Sequence, residues 1–324
     1  MECSVSLLYD FGDGGELLVE HTVLLKRLSD ERLIEFILEE LRKREAGSRG
    51  ENRLVQKLGE LNLGSSVKIF SNVSLSKGDW KVQIDCLVVT DRCCIVLESK
   101  NYSDDLYVNL ETEEFYKVNR NGEEISLPNP YFQLKNHIRF LKDYFGNDFS
   151  EMKITGAVIL TAKSCRIRQK PSHYPFYKLE GMNEKVIQMY NHYHSHLLSS
   201  KQLQTIEHRI QTEQTPFTYP PLCEHYHISP TAIISGVECP HCGVLGMKRV
   251  ETTWKCMKCN RNDRYAHITA VNDYFLLIDR RITNKEFRRF CMVESKYSAS
   301  RMLNRMDLDG HGSGRARYFT QREK

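Results

Sequence analysis

The sequence predicts a mixed α/β core followed by two small modules, one built on paired cysteines and one basic and helical. Three observations carry that prediction. Between residues 47 and 165 the apolar pattern passes from helical spacing to strand alternation, back to a helix, and on to a last buried strand. Two C-x-x-C pairs stand between Cys239 and Cys259. From Arg281 to Lys324 eleven Lys and Arg oppose five Asp and Glu, a local charge of +6 on a chain of net charge +4. The remainder therefore carries −2, and a basic tail on a near-neutral body points to a polyanionic partner.

The elements follow in order. Leu24, Leu28, Leu33, Ile34, Ile37, Leu38 and Leu41 recur at helical spacing over 22–45 and predict one or two amphipathic helices. Gly47 and Gly50 are expected to break them, with a further helix from about Glu51 carrying Leu54, Val55, Leu58 and Leu61. Glu51 shares a face with Val55 and Leu58, an awkward place for a charge unless something there needs it. Strands are expected in VKIFSNV, KVQIDCLVV, CCIVLES, LYVNL and EFYKVN, with a turn at NRNG (119–122). PNPYFQLKNHIRFLKDYF becomes a helix with Phe132, His137, Phe140 and Leu141 near one stripe, and KITGAVILTA is a buried strand. Residues 166–230 are less legible, with a helical stretch from Met182 and a proline-broken linker, TPFTYPPL. The expected segments are thus 1–46, 47–170, 171–230, 231–275 and 276–324.

The apolar runs, such as Cys93 to Leu97, are too short to span a membrane. Early acids and no basic n-region argue against a signal peptide, so a cytoplasmic location is expected. Eleven cysteines, an odd number, then favour metal binding and buried thiols over disulfides.

The chemistry gathers in QIDCLVVTDRCCIVLESKN. If Asp91 and Arg92 form a two-residue turn, Thr90 pairs with Cys93 and Asp85 falls opposite Glu98. Opposed residues of an antiparallel pair share a face, and Lys100 shares it with Glu98 because side chains alternate. Two adjacent carboxylates repel unless a cation sits between them. Oxygen ligands from Asp85 and Glu98, with water, suit Mg²⁺ or Mn²⁺, and Lys100 beside them could orient a water or offset charge on a phosphate. This combination fits metal-assisted phosphodiester hydrolysis. A plain ion pair of these acids with Lys100 or Arg92 at a strand end is the structural alternative.

Asp85 followed by ESK resembles the signature of the PD-(D/E)XK nucleases. Gly50-Glu51, IDCLVV, ESKN and NPYFQ (Asn129 to Gln133) together resemble the nuclease-related domain, or NERD, over about residues 45–165. The resemblance implies a restriction-endonuclease-like core, a central mixed sheet flanked by helices. It implies Asp85 and Glu98 as metal ligands, Lys100 as the catalytic lysine, and Glu51 and Gln133 as supporting groups. A non-catalytic DNA-binding or regulatory protein on a degenerate nuclease fold is the alternative.

Cys239-x-x-Cys242 and Cys256-x-x-Cys259 have the spacing of a four-thiolate structural Zn²⁺ site, similar to a zinc ribbon with a short hairpin between the pairs. His192 with His196, and Cys223 with His225 and His227, read as helix surface and linker, and GDGG at 12–15 as a turn. In the tail, Thr283 with Glu286 forms a capping box, Ser298 can cap a second helix, and Phe287, Phe290 and Cys291 form a core face. The glycine-rich DGHGSGRARY resembles the wing of a winged helix-turn-helix. Arg301 and Arg305 would then lie along a groove, with Arg315 and Arg317 on phosphates. The expected partner is nucleic acid, in the first instance DNA, with no membrane and no obligate protein partner evident.

Overall fold

The computed structural model describes residues 7–10, 16–63, 67–194, 197–215 and 219–322; the GDGG turn and His196 lie outside them. The chain forms two compact units, Met1–Gly14 with Arg42–Phe217, and Gly15–Leu41 with Thr218–Lys324. The expected boundaries at 46 and 170 do not coincide with this division, for reasons visible in the elements.

The chain begins with β1 (Leu7–Asp10), α1 (Glu16–Lys26) and α2 (Glu31–Leu58). Helix α2 is continuous, so Gly47 and Gly50 do not break it as the sequence suggested. A glycine inside a helix costs only about 1 kcal/mol. At Gly50 a Cβ would lie 2.4 Å from Thr161 Oγ1 and 3.3 Å from Asn101 Cβ. Glycine is there so that the helix can press against the core.

The first unit continues with β2 (Lys68–Lys77), β3 (Trp80–Val89), β4 (Cys93–Lys100), β5 (Asp105–Val108), β6 (Phe115–Val118) and β7 (Glu124–Leu127). Then come α3 (Pro130–Phe145), β8 (Lys153–Leu160), β9 (Arg166–Gln169), β10 (Phe176–Lys178), α4 (Met182–His192) and α5 (Ser200–Thr212). A six-stranded sheet runs β1-β2-β3-β4-β8-β10. It is mixed: the neighbouring pairs β2–β3 and β3–β4 are antiparallel, while β1–β2, β4–β8 and β8–β10 are parallel. A smaller sheet runs β7-β6-β5-β9. Strand β10 adds to the main sheet and α5 packs on it, so residues beyond 170 belong to this core.

Alternation along the central strands sorts their side chains between two apolar layers. Leu87, Val89, Cys94 and Val96 meet Leu134, Phe140 and Leu141 of α3 and Ile206 of α5. Cys86, Val88, Cys93, Ile95 and Leu97 meet Leu54 and Leu58 of α2 and Met182 and Val186 of α4. Both faces of these strands are covered, which is why they read as nearly unbroken apolar runs.

The second unit holds α1, the start of α2, α6 (Leu222–His225), β11 (Lys248–Val250), β12 (Thr253–Lys255), β13 (Asn262–Asp263), α7 (His267–Leu277), β14 (Arg281–Thr283), α8 (Asn284–Cys291), α9 (Lys296–Leu303), β15 (Leu308–His311) and β16 (Tyr318–Gln321). Strands β11-β12-β13 form one small antiparallel sheet. Strands β14-β16-β15 form another, and from α7 onward the order is helix, strand, helix, helix and an antiparallel hairpin. The capping box of Thr283 and Glu286 is present. The second tail helix is capped by Ser295, whose side chain accepts from Ser298 N–H, rather than by Ser298 itself. The expectation of a mixed α/β protein with a nuclease-like core and small C-terminal modules therefore holds. Among the described residues no helix is long and apolar enough to cross a membrane.

An ion pair closes the second unit. Arg27, 1 % exposed, donates from Nε to Asp273 Oδ2 at 2.9 Å and from Nη1 to Ile234 O at 2.8 Å, and stacks over Phe290. Burial pushes the Asp273 carboxyl up, and the Arg27 charge works against that rise. Removing one member leaves the other charge buried and unpaired. Arg27→Ala is therefore expected to lower the stability of this unit by about 3–5 kcal/mol in urea unfolding. A loss below about 1 kcal/mol, the value of an exposed pair, would show that the pair is not a buried anchor.

Candidate active site

The site begins at the β3–β4 turn. Asp91-Arg92 is not a favoured hairpin dipeptide, yet the turn is tight because buried Thr90 satisfies it. Thr90 Oγ1 donates to Cys93 O at 2.9 Å and accepts from Arg92 N–H at 3.2 Å and Cys93 N–H at 3.0 Å. The hydroxyl thereby uses its whole hydrogen-bonding capacity. From this turn the register runs Val89↔Cys94, Val88↔Ile95, Leu87↔Val96, Cys86↔Leu97. One step further places Asp85 opposite Glu98. There the ladder gives way to a side chain, because Asp85 Oδ2 accepts from Ser99 N–H at 2.7 Å.

By parity Asp85, Glu98 and Lys100 face the α3 side of the sheet. Glu98 is fully buried. Lys100 Nζ donates to Glu98 Oε1 at 2.7 Å, and His137 Nδ1 of α3 stands 3.2 Å from Glu98 Oε2. Lys100, with a side chain 20 % exposed, is the member of this trio that opens to solvent.

The electrostatics separate the two acids. Burial raises Asp85 well above the ordinary carboxyl range, the charges of Glu98 and Glu51 raise it further, and Lys100 opposes the rise. Glu98 suffers burial as well, but His137 and Lys100 outweigh that cost and hold it below its usual value. Burial alone would lower Lys100, yet Glu98 and Asp85 raise it, so it stays cationic. Two neighbouring carboxyls pushed in opposite directions make this a candidate functional site.

Glu51, half-buried on α2, is one of the charges that raise Asp85. Gln133 is exposed on α3, one turn before His137 and on the same face. His137 is a residue that sequence reasoning took for part of an apolar stripe. The signal available was its i+4 spacing from Gln133. Tyr102, which the sequence motifs do not single out, stands beside Lys100 and Glu98: burial raises its hydroxyl pKa, with Lys100 lowering and Glu98 raising it.

The remaining motif residues build the frame. Asn101 donates from Nδ2 to Ala46 O at 2.8 Å and accepts from Arg53 Nη2 at 3.3 Å, clasping α2 beside Gly50. Asn129 caps α3 by accepting from Tyr131 N–H at 3.0 Å, and donates to Glu113 O at 2.8 Å. Pro130 opens that helix, where its missing N–H costs nothing.

Residues 46–161 match the family model of the nuclease-related domain, NERD. Over these residues the chain is similar to a nuclease-related domain. The match takes in Glu51, Asp85, Glu98, Lys100, Gln133 and His137, together with the framing Gly50, Asn101, Asn129 and Thr161. No curated protein and no solved structure matches the chain.

Whether the NERD site suits a divalent cation can be judged from its donors. Asp85 and Glu98 are hard oxygen donors, Glu98 Oε2 is buried with only His137 Nδ1 beside it at 3.2 Å, and burial and the carboxylate neighbours raise Asp85 above its ordinary value. A small hard dication would satisfy the first and relieve the second. The residues therefore fit such an ion.

In the second unit the Sγ atoms of Cys239, Cys242, Cys256 and Cys259 all lie within 4.8 Å of one another. Cys239–Cys259 and Cys242–Cys256 are 3.7 and 3.5 Å apart. Tetrahedral zinc thiolates with bonds of about 2.3 Å put sulfurs about 3.8 Å apart. Gly243 and Asn260 follow the pairs in left-handed conformations, φ 70° and 57°. The hairpin β11–β12 spans the interval, as the spacing implied. N–H groups of Cys259 and Lys258 pull the Cys256 thiol down to about 6. The Val244 N–H lowers Cys242, but burial and hydrogen bonds to the other thiols push it up to about 11, so without a metal the cluster shares its protons unevenly. Elemental analysis of the purified protein is expected to find one zinc per chain, lost in Cys242→Ser. Zinc-free protein with an intact C-terminal unit would contradict the assignment.

Proposed function

We propose that the protein is a nuclease that hydrolyses phosphodiester bonds, with DNA as substrate and Mg²⁺ or Mn²⁺ as cofactor. The single observation that carries this reading is the opposed, oppositely perturbed pair Asp85 and Glu98 with cationic Lys100 at its open edge, inside a nuclease-related domain.

Asp85 and Glu98 would hold the metal, which when bound supplies Lewis-acid stabilisation and lowers the pKa of water. The residues themselves do the rest. His137 fixes Glu98 from the helix side, as an outer partner of a ligating carboxylate does. Lys100, protonated and partly open to solvent, donates toward the attacking water or the phosphate oxygens and offsets the charge that develops there. Being cationic, it acts as a donor rather than a general base. Glu51 adds negative charge behind Asp85, and Gln133 stands at the same helix face as a neutral polar contact. The cysteine module and the basic tail, with Arg301, Arg305, Arg315 and Arg317, would hold the substrate. Arg315 is exposed, whereas Arg317 is partly committed, donating to Asn304 Oδ1 at 2.8 Å.

The test is incubation with linear, nicked, supercoiled and single-stranded DNA, and with RNA, in Mg²⁺, Mn²⁺ or EDTA. Metal-dependent cleavage of DNA is expected. It should fall at least about 10²–10³-fold in Lys100→Ala, the cost of a lost electrostatic stabiliser, and disappear in Asp85→Ala. His137→Ala should raise the metal requirement by about 10–100-fold. Absence of cleavage by the wild type on every substrate would end the nuclease reading.

A further inference from the structure

The second unit contains a cavity that the cysteine spacing and the tail charge do not foretell. It has a volume of about 150 Å³ and lies between the β11–β12 hairpin, the start of α7 and helix α9. Four arginines line it: Arg249 on β11, Arg264 ahead of α7, Arg301 on α9 and Arg305 just beyond. Glu251 is the one acid in the lining. None of the four arginines has an ion pair among the described residues.

Such a cluster is costly without an anion. Arg249 Nε and Nη1 are buried with no hydrogen-bond partner, and unsatisfied buried donors on a charged group are expensive. Burial and the charges of Arg264 and Arg301 push the Arg249 guanidinium below its ordinary value. Its plane lies over Trp254, whose Nε1 donates to His267 Nδ1 at 3.2 Å. Burial first, then the Arg249 charge, brings His267 down to about 4, so the charge of this cavity comes from its arginines.

The dimensions and chemistry choose the occupant. Ligand pockets for whole small molecules run to about 300–1,000 Å³, so this one fits a single anionic group. Guanidinium forks match phosphate oxygens bidentately. The rim offers Tyr265, 63 % exposed, and Ile268, 38 % exposed, surfaces for a sugar or base attached to the phosphate. We propose that Arg249, Arg264, Arg301 and Arg305 seat one phosphate group of a nucleic-acid strand, joining the cysteine module and α9 into one binding surface. The seat rests on the reading that this protein acts on nucleic acid.

The experiment uses the full chain carrying Asp85→Asn, so that bound substrate stays intact. Binding of labelled duplex DNA, single-stranded DNA and RNA is followed by anisotropy over a salt series. Arg264→Gln with Arg301→Gln should weaken binding about tenfold or more and lower the log–log salt slope by about one, the signature of one phosphate released. The exposed single variant Arg305→Gln should move both quantities the same way to a smaller extent, and it keeps the test decisive if the double variant loses its zinc or its fold. Unchanged affinity and slope would overturn the seat. So would binding of inorganic phosphate, at matched ionic strength, that depends on these arginines while strand binding does not. Failure of the wild type to bind any strand would overturn it too. A wild type that binds but never cleaves sinks the nuclease reading and leaves the seat standing.

Discussion

The register of the β3–β4 hairpin is the constraint on which the first unit depends. Thr90 closes a two-residue turn from within the core, and the turn length fixes which residues oppose one another. Because side-chain facing alternates, a slip of one residue would send Asp85 to the α2 face and break its opposition to Glu98. The apolar layers resist such a slip, since the same shift would misplace Leu87, Val89, Cys86 and Val88. Core packing and site geometry are thus set by one register. What the core cannot do is neutralise the acids. An Asp whose pKa is higher folded than unfolded favours the folded state fully only below the unfolded value, and that advantage is lost as pH rises through the folded one. Lys100 opposes the upward shift of Asp85, and the proposed metal would oppose it further.

The nuclease-related motif divides by task. Gly50, Asn101 and Asn129 carry no reactive chemistry; they let α2 approach the ends of β4 and β8 and start α3 at its proper place. Glu51, Asp85, Glu98, Lys100 and His137 are what those helices and strands bring together. The second unit divides similarly. The Arg27–Asp273 pair and the four cysteines hold its parts, while Arg249, Arg264, Arg301 and Arg305 are left with charge to spare.

Much of this was legible in the sequence, and the failures have physical causes. Parity needs only a turn length, so the opposition of Asp85 and Glu98 could be counted out. The zinc-type cluster was legible because two C-x-x-C pairs constrain their own geometry. His137 was not, since a histidine in an apolar stripe looks the same whether it packs or orients a carboxylate. Helix α2 looked broken because glycine was weighed as a breaker, when Gly50 answers to contact with Thr161. Strands β9 and β10 are short, and polar RIRQ lacks alternation. Arg27 and Asp273 are 246 residues apart, and the arginine seat draws on three separate elements, so neither leaves a local pattern.

The central claim is that half-buried Asp85 and fully buried Glu98 share one site that would hold a metal. The direct measurement is a carboxyl ¹³C NMR titration of Asp- and Glu-labelled protein without added divalent cation, repeated with Mg²⁺. Asp85 should titrate well above the ordinary carboxylate range and Glu98 below it, and Mg²⁺ should lower the Asp85 value. Ordinary titration of both acids, unmoved by Mg²⁺, would contradict the account.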